Sequence, residues 1–151
     1  FVSTTKLAFN PHTFQQLAGI INYYDSKDYT GIYVSYDEDQ EKRILEIINC
    51  DAENYSFPLG SVGRVVLPDD TDVYLRTIQD DVEYHYAYSL DGTTWQNLGP
   101  NFDSLKLSDD YIFDHYGPHA YFTGAFTGMF AADLTGSKLP ATFKLFDYQE
   151  Q

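Results

Sequence analysis

The stretch Tyr121-Phe122-Thr123-Gly124-Ala125-Phe126-Thr127-Gly128-Met129-Phe130-Ala131-Ala132-Asp133-Leu134 decides how the chain is read. Its period is two. Phe122, Gly124, Phe126, Gly128, Phe130 and Ala132 fall on one face of an extended strand, and Thr123, Ala125, Thr127, Met129 and Ala131 on the other. The glycines leave room for the Phe rings to interlock with a facing sheet. The other face is small and uncharged, unlike a sheet face that meets water. No Asp, Glu, Lys or Arg occurs from His115 to Ala132. Interior glycines and β-prone threonines weigh against a helix. The expectation is a long central strand covered on both faces, with Phe126 in the core, where truncation to Ala would cost ~3–5 kcal/mol.

The same alternation recurs on either side. Phe1 to Phe9, Phe14 to Tyr24, Thr30 to Tyr36 and Arg43 to Cys50 read as strands, divided by Asn10-Pro11-His12, the Asp25–Asp28 turn and Asp37–Lys42. A weak stretch from 51 to 63 leads to a short extended piece at Arg64–Leu67. Val73–Gln79 and Val82–Leu90 form a hairpin about Asp80-Asp81, with Val82, Tyr84, Tyr86, Tyr88 and Leu90 facing one way. After Asp91-Gly92 the segment Trp95–Leu98 pairs back. Pro100 to Pro118 reads as irregular, and Ala141–Tyr148 closes the chain. Roughly ten short strands, with turns every eight to twelve residues and no convincing helix, predict an all-β protein. The expected form is an antiparallel two-sheet sandwich of the jelly-roll type, one domain over residues 1–151.

Composition narrows the partners. With 9 Lys plus Arg against 23 Asp plus Glu, the net charge of −14 repels nucleic acid and anionic membrane, and both are set aside. No apolar run approaches the ~20 residues of a membrane span. Cys50 is alone and has no CxxC partner, so it reads as a small buried hydrophobe and favours a reducing compartment such as the cytoplasm, or indifference to the redox state. The chain opens on Phe1 inside what reads as a strand, which suggests a fragment of a longer protein.

Three constellations bear on chemistry. Asp37, Asp39 and Glu41 alternate as glycosidase acids can, but they sit in a turn where solvation explains them. His115 and His119 have an i, i+4 spacing that suits zinc only on a helix, and Gly117-Pro118 between them forbids that helix. The histidines therefore read as ordinary loop residues, and neither metal nor cofactor is expected. Aromatic rings cluster twice: Tyr23, Tyr24, Tyr29 and Tyr33 near the Asp25–Asp28 turn, and Tyr111, Phe113, Tyr116, Tyr121 and Phe122 before and within the opening stretch. Such rings stack on the apolar C–H faces of sugars, and they also fill cores.

Four segments taken together carry a resemblance. Phe14–Tyr24 (FQQLAGIINYY), Tyr84–Trp95 (YHYAYSLDGTTW), Phe122–Met129 (FTGAFTGM) and Ala141-Thr142-Phe143 occur in the order found in the C-terminal domain of bacterial β-xylosidases of glycoside hydrolase family 43. The similarity runs from Phe1 nearly to Tyr148. It implies a concanavalin A-like β-sandwich that follows an N-terminal five-bladed propeller carrying the three catalytic acids of an inverting hydrolysis. The sandwich itself would contribute no catalytic residue.

In the family an aromatic ring from the sandwich closes a pocket for the end of a short xylo-oligosaccharide. The family motif Phe-Phe-Thr-Gly-Ala-Phe matches Tyr121–Phe126, so the pocket ring would be Tyr121 or Phe122, with Tyr121 bringing a hydroxyl where the family has none. Tyr116 and His119 are further carbohydrate-contact candidates.

The two uncharged stretches, Leu7–Tyr24 and His115–Ala132, then acquire a reason. If their strands are neighbours, one sheet has a face built to be covered, and the propeller would cover it. The expected function is an accessory sandwich that packs on the catalytic propeller and helps close its substrate pocket; self-association is left open. The alternatives are a free-standing carbohydrate-binding module and, further off, an independent lectin-fold glycosidase.

Overall fold

The computed structural model describes residues 1–117 and 123–151. Among these described residues eleven strands form two antiparallel sheets. β1 (Val2–Ala8), β7 (Val73–Asp80), β8 (Glu83–Ser89), β9 (Gln96–Asp103) and β11 (Thr142–Gln149) make a five-stranded sheet in the order β11-β1-β7-β8-β9. β10 (Phe126–Asp133), β2 (Gln16–Asp25), β3 (Asp28–Asp37), β4 (Lys42–Asp51) and β5 (Asn54–Ser56) make the other in that order, with β6 (Val65–Val66) also pairing with β4. The sheets meet through the alternate residues that the two-residue period selects. Leu7, Val73, Leu75, Tyr84, Tyr86 and Tyr88 on one side pack with Ala18, Ile20, Ile32, Val34, Leu45 and Ile47 on the other.

Toward one end the core turns polar. Asn22 Nδ2 donates to the Tyr86 hydroxyl at 3.0 Å, and the Thr30 hydroxyl meets those of Tyr84 at 2.8 Å and Tyr86 at 2.6 Å. A hydroxyl network of this kind satisfies groups that would otherwise be costly to bury, and it ties β2, β3 and β8 together across the layers.

Most strands lie where alternation puts them, and the Asp25–Asp28 and Asp80–Asp81 turns join hairpins as expected. Val82 and Leu90 fall just outside β8 and are exposed, whereas Tyr84, Tyr86 and Tyr88 are buried.

Two expectations fail. The opening stretch does not run as one long central strand: β10 begins only at Phe126, and it is the edge of its sheet, paired with β2 alone. Gly124, at φ +70°, interrupts the extended backbone just before it. Phe126 is 60% exposed rather than in the core. Alternation tells which residues share a face, not whether a strand has one neighbour or two.

The second failure is the stretch expected to be irregular. It contains a 3-10 turn at Ser104–Leu107 and a helix α1 at Asp109–Tyr116. Ser108 caps α1 by accepting from the Tyr111 N–H, Asp109 and Asp110 occupy the first turn, and His115 the last. Gly117, at φ +73°, ends it. Ile112 anchors the helix in the core.

The correction to Phe126 is measurable. Phe126→Ala should change the urea-derived stability of this chain by under ~1 kcal/mol, as exposed positions do. Ile32→Ala, in the middle of the core, should cost ~2–5 kcal/mol.

Candidate functional site

The outer faces of the two sheets differ in kind. On the five-stranded sheet Lys6, Tyr74, Arg76 and Trp95 meet solvent as a charged layer. Lys6 and Lys144 lie 3.5 and 2.7 Å from Asp72, and the Arg76 guanidinium sits 3.6 Å above the Trp95 ring.

On the six-stranded sheet, register gathers Leu17, Gly19, Ile21 and Tyr23 of β2 and Tyr29, Gly31, Tyr33 and Ser35 of β3 on the outer side. Ile44, Glu46, Ile48 and Cys50 of β4 and Phe126, Gly128, Phe130 and Ala132 of β10 join them. β10 and β2, which carry the two stretches free of Asp, Glu, Lys and Arg, are neighbours, so the condition raised from the sequence holds. Phe130 pairs with Gly19 and reaches across it to stack edge-on against Tyr33 at 6.2 Å, in the space that Gly31 leaves. Tyr23, Tyr29 and Tyr55 continue the row at 6.0 and 6.4 Å.

Two acids at this face, Glu46 and Asp37, share one cation. Glu46 is buried under Arg64, whose Nε donates to it while Nη1 lies 3.6 Å from Asp37. Glu46 raises the Arg64 pKa further. Around this pair lies a groove of about 320 Å³ lined by Phe14, Leu17, Tyr33, Ile48, Phe57 and Leu134. Phe14, Phe57 and Leu134 are 63, 50 and 70% exposed. Large apolar side chains gathered at such exposure mark an interaction surface rather than scatter.

The sequence candidates separate accordingly. Asp37 accepts from the Asp39 and Gln40 N–H groups at 3.0 Å, a turn built by its own carboxylate, as expected. Cys50 is buried, and burial pushes its thiol up, which suits a packing residue. His115 is helical rather than in a loop; its Nδ1 meets the Tyr111 carbonyl at 2.8 Å and its ring stacks on Tyr111. Tyr116 ends α1 with its hydroxyl donating to the Lys27 carbonyl at 3.0 Å, half-buried against the core. His119, Tyr121 and Phe122 lie outside the described residues. Among the described residues no three His, Cys, Asp or Glu side chains converge as a metal would need.

Sequence reading missed the carboxylates beneath α1. Asp51 accepts from Tyr111 at 2.6 Å and from Lys106 at 2.5 Å. Burial opposes its charge, but those bonds outweigh it and hold the carboxyl below the usual range. Asp28, 2% exposed, accepts from the Ala52 N–H at 3.3 Å and faces Tyr116 at 3.5 Å. Burial pushes its pKa up to about 6, and nearby Asp51 and Asp25 add to the shift. Nothing in a lone Asp after a Lys signals this, because burial belongs to the fold.

Two antiparallel sheets packed face to face, one with a charged outer face and the other with an apolar, aromatic one, define the class: an all-β two-layer sandwich. Residues 1–149 match the family described as the β-xylosidase C-terminal concanavalin A-like domain, and the chain belongs to that family. It is 39% identical to the β-xylosidase of Bacillus subtilis (strain 168) over 152 residues, which is 100% of this chain and 27% of that protein. It is 38% identical to a putative β-xylosidase of Escherichia coli (strain K12), over 99% of this chain and 27% of that protein. The crystal structure of a xylan β-1,4-xylosidase from Bacillus halodurans C-125 superposes with a TM-score of 0.88 at 34% identity, covering 99% of this chain and 27% of that one. The chain therefore spans about a quarter of the length of the relatives it matches, and it has the expected concanavalin A-like fold.

Asp28 yields a prediction with a definite sign. Its folded pKa, about 6, lies above the ordinary 3.8, so folding favours the protonated form. The stability it withholds grows as pH rises from ~4 to ~6 and is fully withheld above that. Asp28→Asn, neutral throughout and still able to accept a bond, should be more stable than the parent at pH 7 by ~1–3 kcal/mol. The difference should close by pH 4 in paired denaturant titrations.

Proposed function

We propose that this sandwich is the accessory domain of a β-xylosidase that acts on short xylo-oligosaccharides, and that it packs on an N-terminal catalytic propeller of the same protein. The observation that carries the reading is the outer face of the six-stranded sheet, whose buried acid is paired and whose Phe14, Phe57, Phe126 and Leu134 are left open. The length of the relatives supplies a partner: the remaining three quarters of the polypeptide can cover that face without a separate binding event. The chemistry belongs to the covering domain, and this chain alone is non-catalytic.

Its contribution to the substrate pocket is a ring from Tyr121 or Phe122, carried over from the family motif that Tyr121–Phe126 matches. Tyr116 and His119 precede that ring in the chain and are weaker sugar contacts. The bacterial cytoplasm is the location we assign, on the single buried thiol.

One observation favours a second reading. The ring row Tyr23, Tyr29 and Tyr55, beside Phe126, is a platform on which a glycan could stack, so the chain could be a free-standing carbohydrate-binding module. Calorimetry separates the two. The accessory-domain reading expects no xylobiose or xylohexaose binding to this chain at millimolar concentration, and binding there would favour the module. Hydrolysis of a nitrophenyl xyloside by this chain alone would contradict both. In the full-length protein, Tyr121→Ala or Phe122→Ala should lower kcat/KM for xylobiose by ~10-fold or more, as loss of a substrate-positioning contact does. Unchanged kinetics in both variants would remove the pocket assignment.

A further inference from the structure

The two layers of the sandwich stack strand over strand, except along one side. The Ser3 hydroxyl of β1 meets that of Thr127 of β10 at 3.1 Å, and Asn22 Nδ2 of β2 donates to the Thr77 hydroxyl of β7 at 3.4 Å. The Thr30 hydroxyl of β3 meets that of Tyr84 of β8 at 2.8 Å, and Gly99 of β9 lies against the Ile47 side chain of β4. With β1 over β10, the strand orders put β11 one place further out. Beneath it, beside β10, there is no strand among the described residues.

Side chains register the gap. Ser3 and Thr5 of β1 are fully buried between the layers, and their partners on β11 are Tyr148 and Phe146. Those two rings therefore also point inward. They are nevertheless 48 and 39% exposed, even with Phe1 stacked on Tyr148 at 5.2 Å. Phe143, opposite Leu7, does pack against the core. On β10 Met129 shares the inward side with Thr127 and is 44% exposed. Inward-facing side chains of a sandwich fill its core when the opposing sheet extends beneath them, and here that sheet stops one strand short.

The edge beside the gap is also unguarded. Free edges are normally blunted by short strands, charges, prolines or irregular pairing. β5 is three residues long, β9 carries Gly99-Pro100 and a register shift, and β11 carries Lys144 and Asp147. β10 runs for eight residues without Lys, Arg or Pro, and its only charge is Asp133 at the end. Its outward N–H and C=O groups are a template for another strand.

We infer that β10 receives one further strand, an extended segment with apolar residues at alternate positions, supplied by the part of the longer polypeptide outside residues 1–151. The segment bonds to the free edge of β10 and sends every second side chain up beneath Phe146, Tyr148 and Met129, as in strand addition to a sheet. The relatives supply the length, since this chain matches only 27% of each. A strand on the same polypeptide arrives at high effective concentration, an advantage that a separate molecule lacks. The inference goes beyond the accessory-domain reading and does not depend on it, because the edge of β10 and the outer face of its sheet are different surfaces.

Residue-resolved hydrogen exchange on the full-length protein tests it. In an antiparallel edge strand every second amide bonds the single neighbour and the others meet water, whereas between two neighbours all are bonded. The expected result is that consecutive amides from Thr127 to Ala132 exchange at rates within ~10-fold of one another. A sawtooth, with every second amide on the order of 100-fold faster, would overturn the inference. A second arm identifies the occupant by photocross-linking from p-benzoylphenylalanine placed at position 146 of the full-length protein. The captured peptide should lie outside residues 1–151 of the same molecule. Capture within residues 1–151, a cross-linked dimer or no capture would each overturn it. Shielding of Phe14, Phe57 and Leu134 bears on the accessory-domain reading alone, so the two fail separately.

Discussion

The pairing of β10 with β2 is the constraint on which the rest of this molecule depends. It sets two strands whose only charged residues are at their ends, Asp133 and Asp25, side by side at the edge of the six-stranded sheet, from Phe126 opposite Tyr23 to Asp133 opposite Gln16. Either strand alone would be an apolar surface of ordinary size. Together, continued by Tyr29, Tyr33 and Ile48, they make an outer face that water solvates poorly on one side of a chain with net charge −14. A protein this acidic has ample charge with which to dress that face and does not use it there. Most exposed acids go to turns and to the opposite sheet, and Glu46, the carboxylate buried in the face, has as its partner Arg64, which also lies 3.6 Å from Asp37 at the end of β3. A buried acid without such a partner would be strongly destabilising, and Arg64 compensates its charge.

Beneath that face the sandwich is stiffened in an uneven way. Ile20, Ile32, Val34, Leu45 and Leu75 fill one part of the interior with hydrocarbon. Toward the Asp25–Asp28 end, Asn22, Thr30, Tyr84 and Tyr86 replace packing with directed hydroxyl bonds. α1 sits at this same end, tied by Tyr24, Tyr111 and Tyr116. Directional bonds hold geometry more tightly than interchangeable apolar contacts do.

Much of this was legible in the residues, and the misses have physical causes. Period-two alternation located β1 to β4, β7 and β8, and the absence of charge in Leu7–Tyr24 and His115–Ala132 raised a shared face only on the condition that their strands are neighbours, which the pairing of β10 with β2 meets. Alternation could not say that β10 is an edge, because an edge strand and a central one carry the same pattern. It also misjudged Phe126, since a Phe on an outer face that awaits a partner looks like a Phe in a core. The helix was missed although Ser108, Asp109 and Asp110 announced its start and Gly117 its end. Its single buried residue, Ile112, leaves no apolar stripe to detect. The carboxylate of Asp28 was beyond reach altogether, because its burial is made by residues distant in sequence. Of the pocket candidates, the family motif supplied Tyr121 and Phe122, and composition alone would not have singled out either.

Hydroxyl-radical footprinting of the full-length protein tests the central claim most directly, with each residue's oxidation normalised to that of the same residue in this 151-residue chain. The account predicts that Phe14, Phe57, Phe126 and Leu134 are shielded several-fold in the longer protein, while Tyr74 and Trp95 on the opposite sheet react as before. Oxidation of the first group at the level seen in this chain alone would mean that nothing lies on the apolar face, and would contradict it.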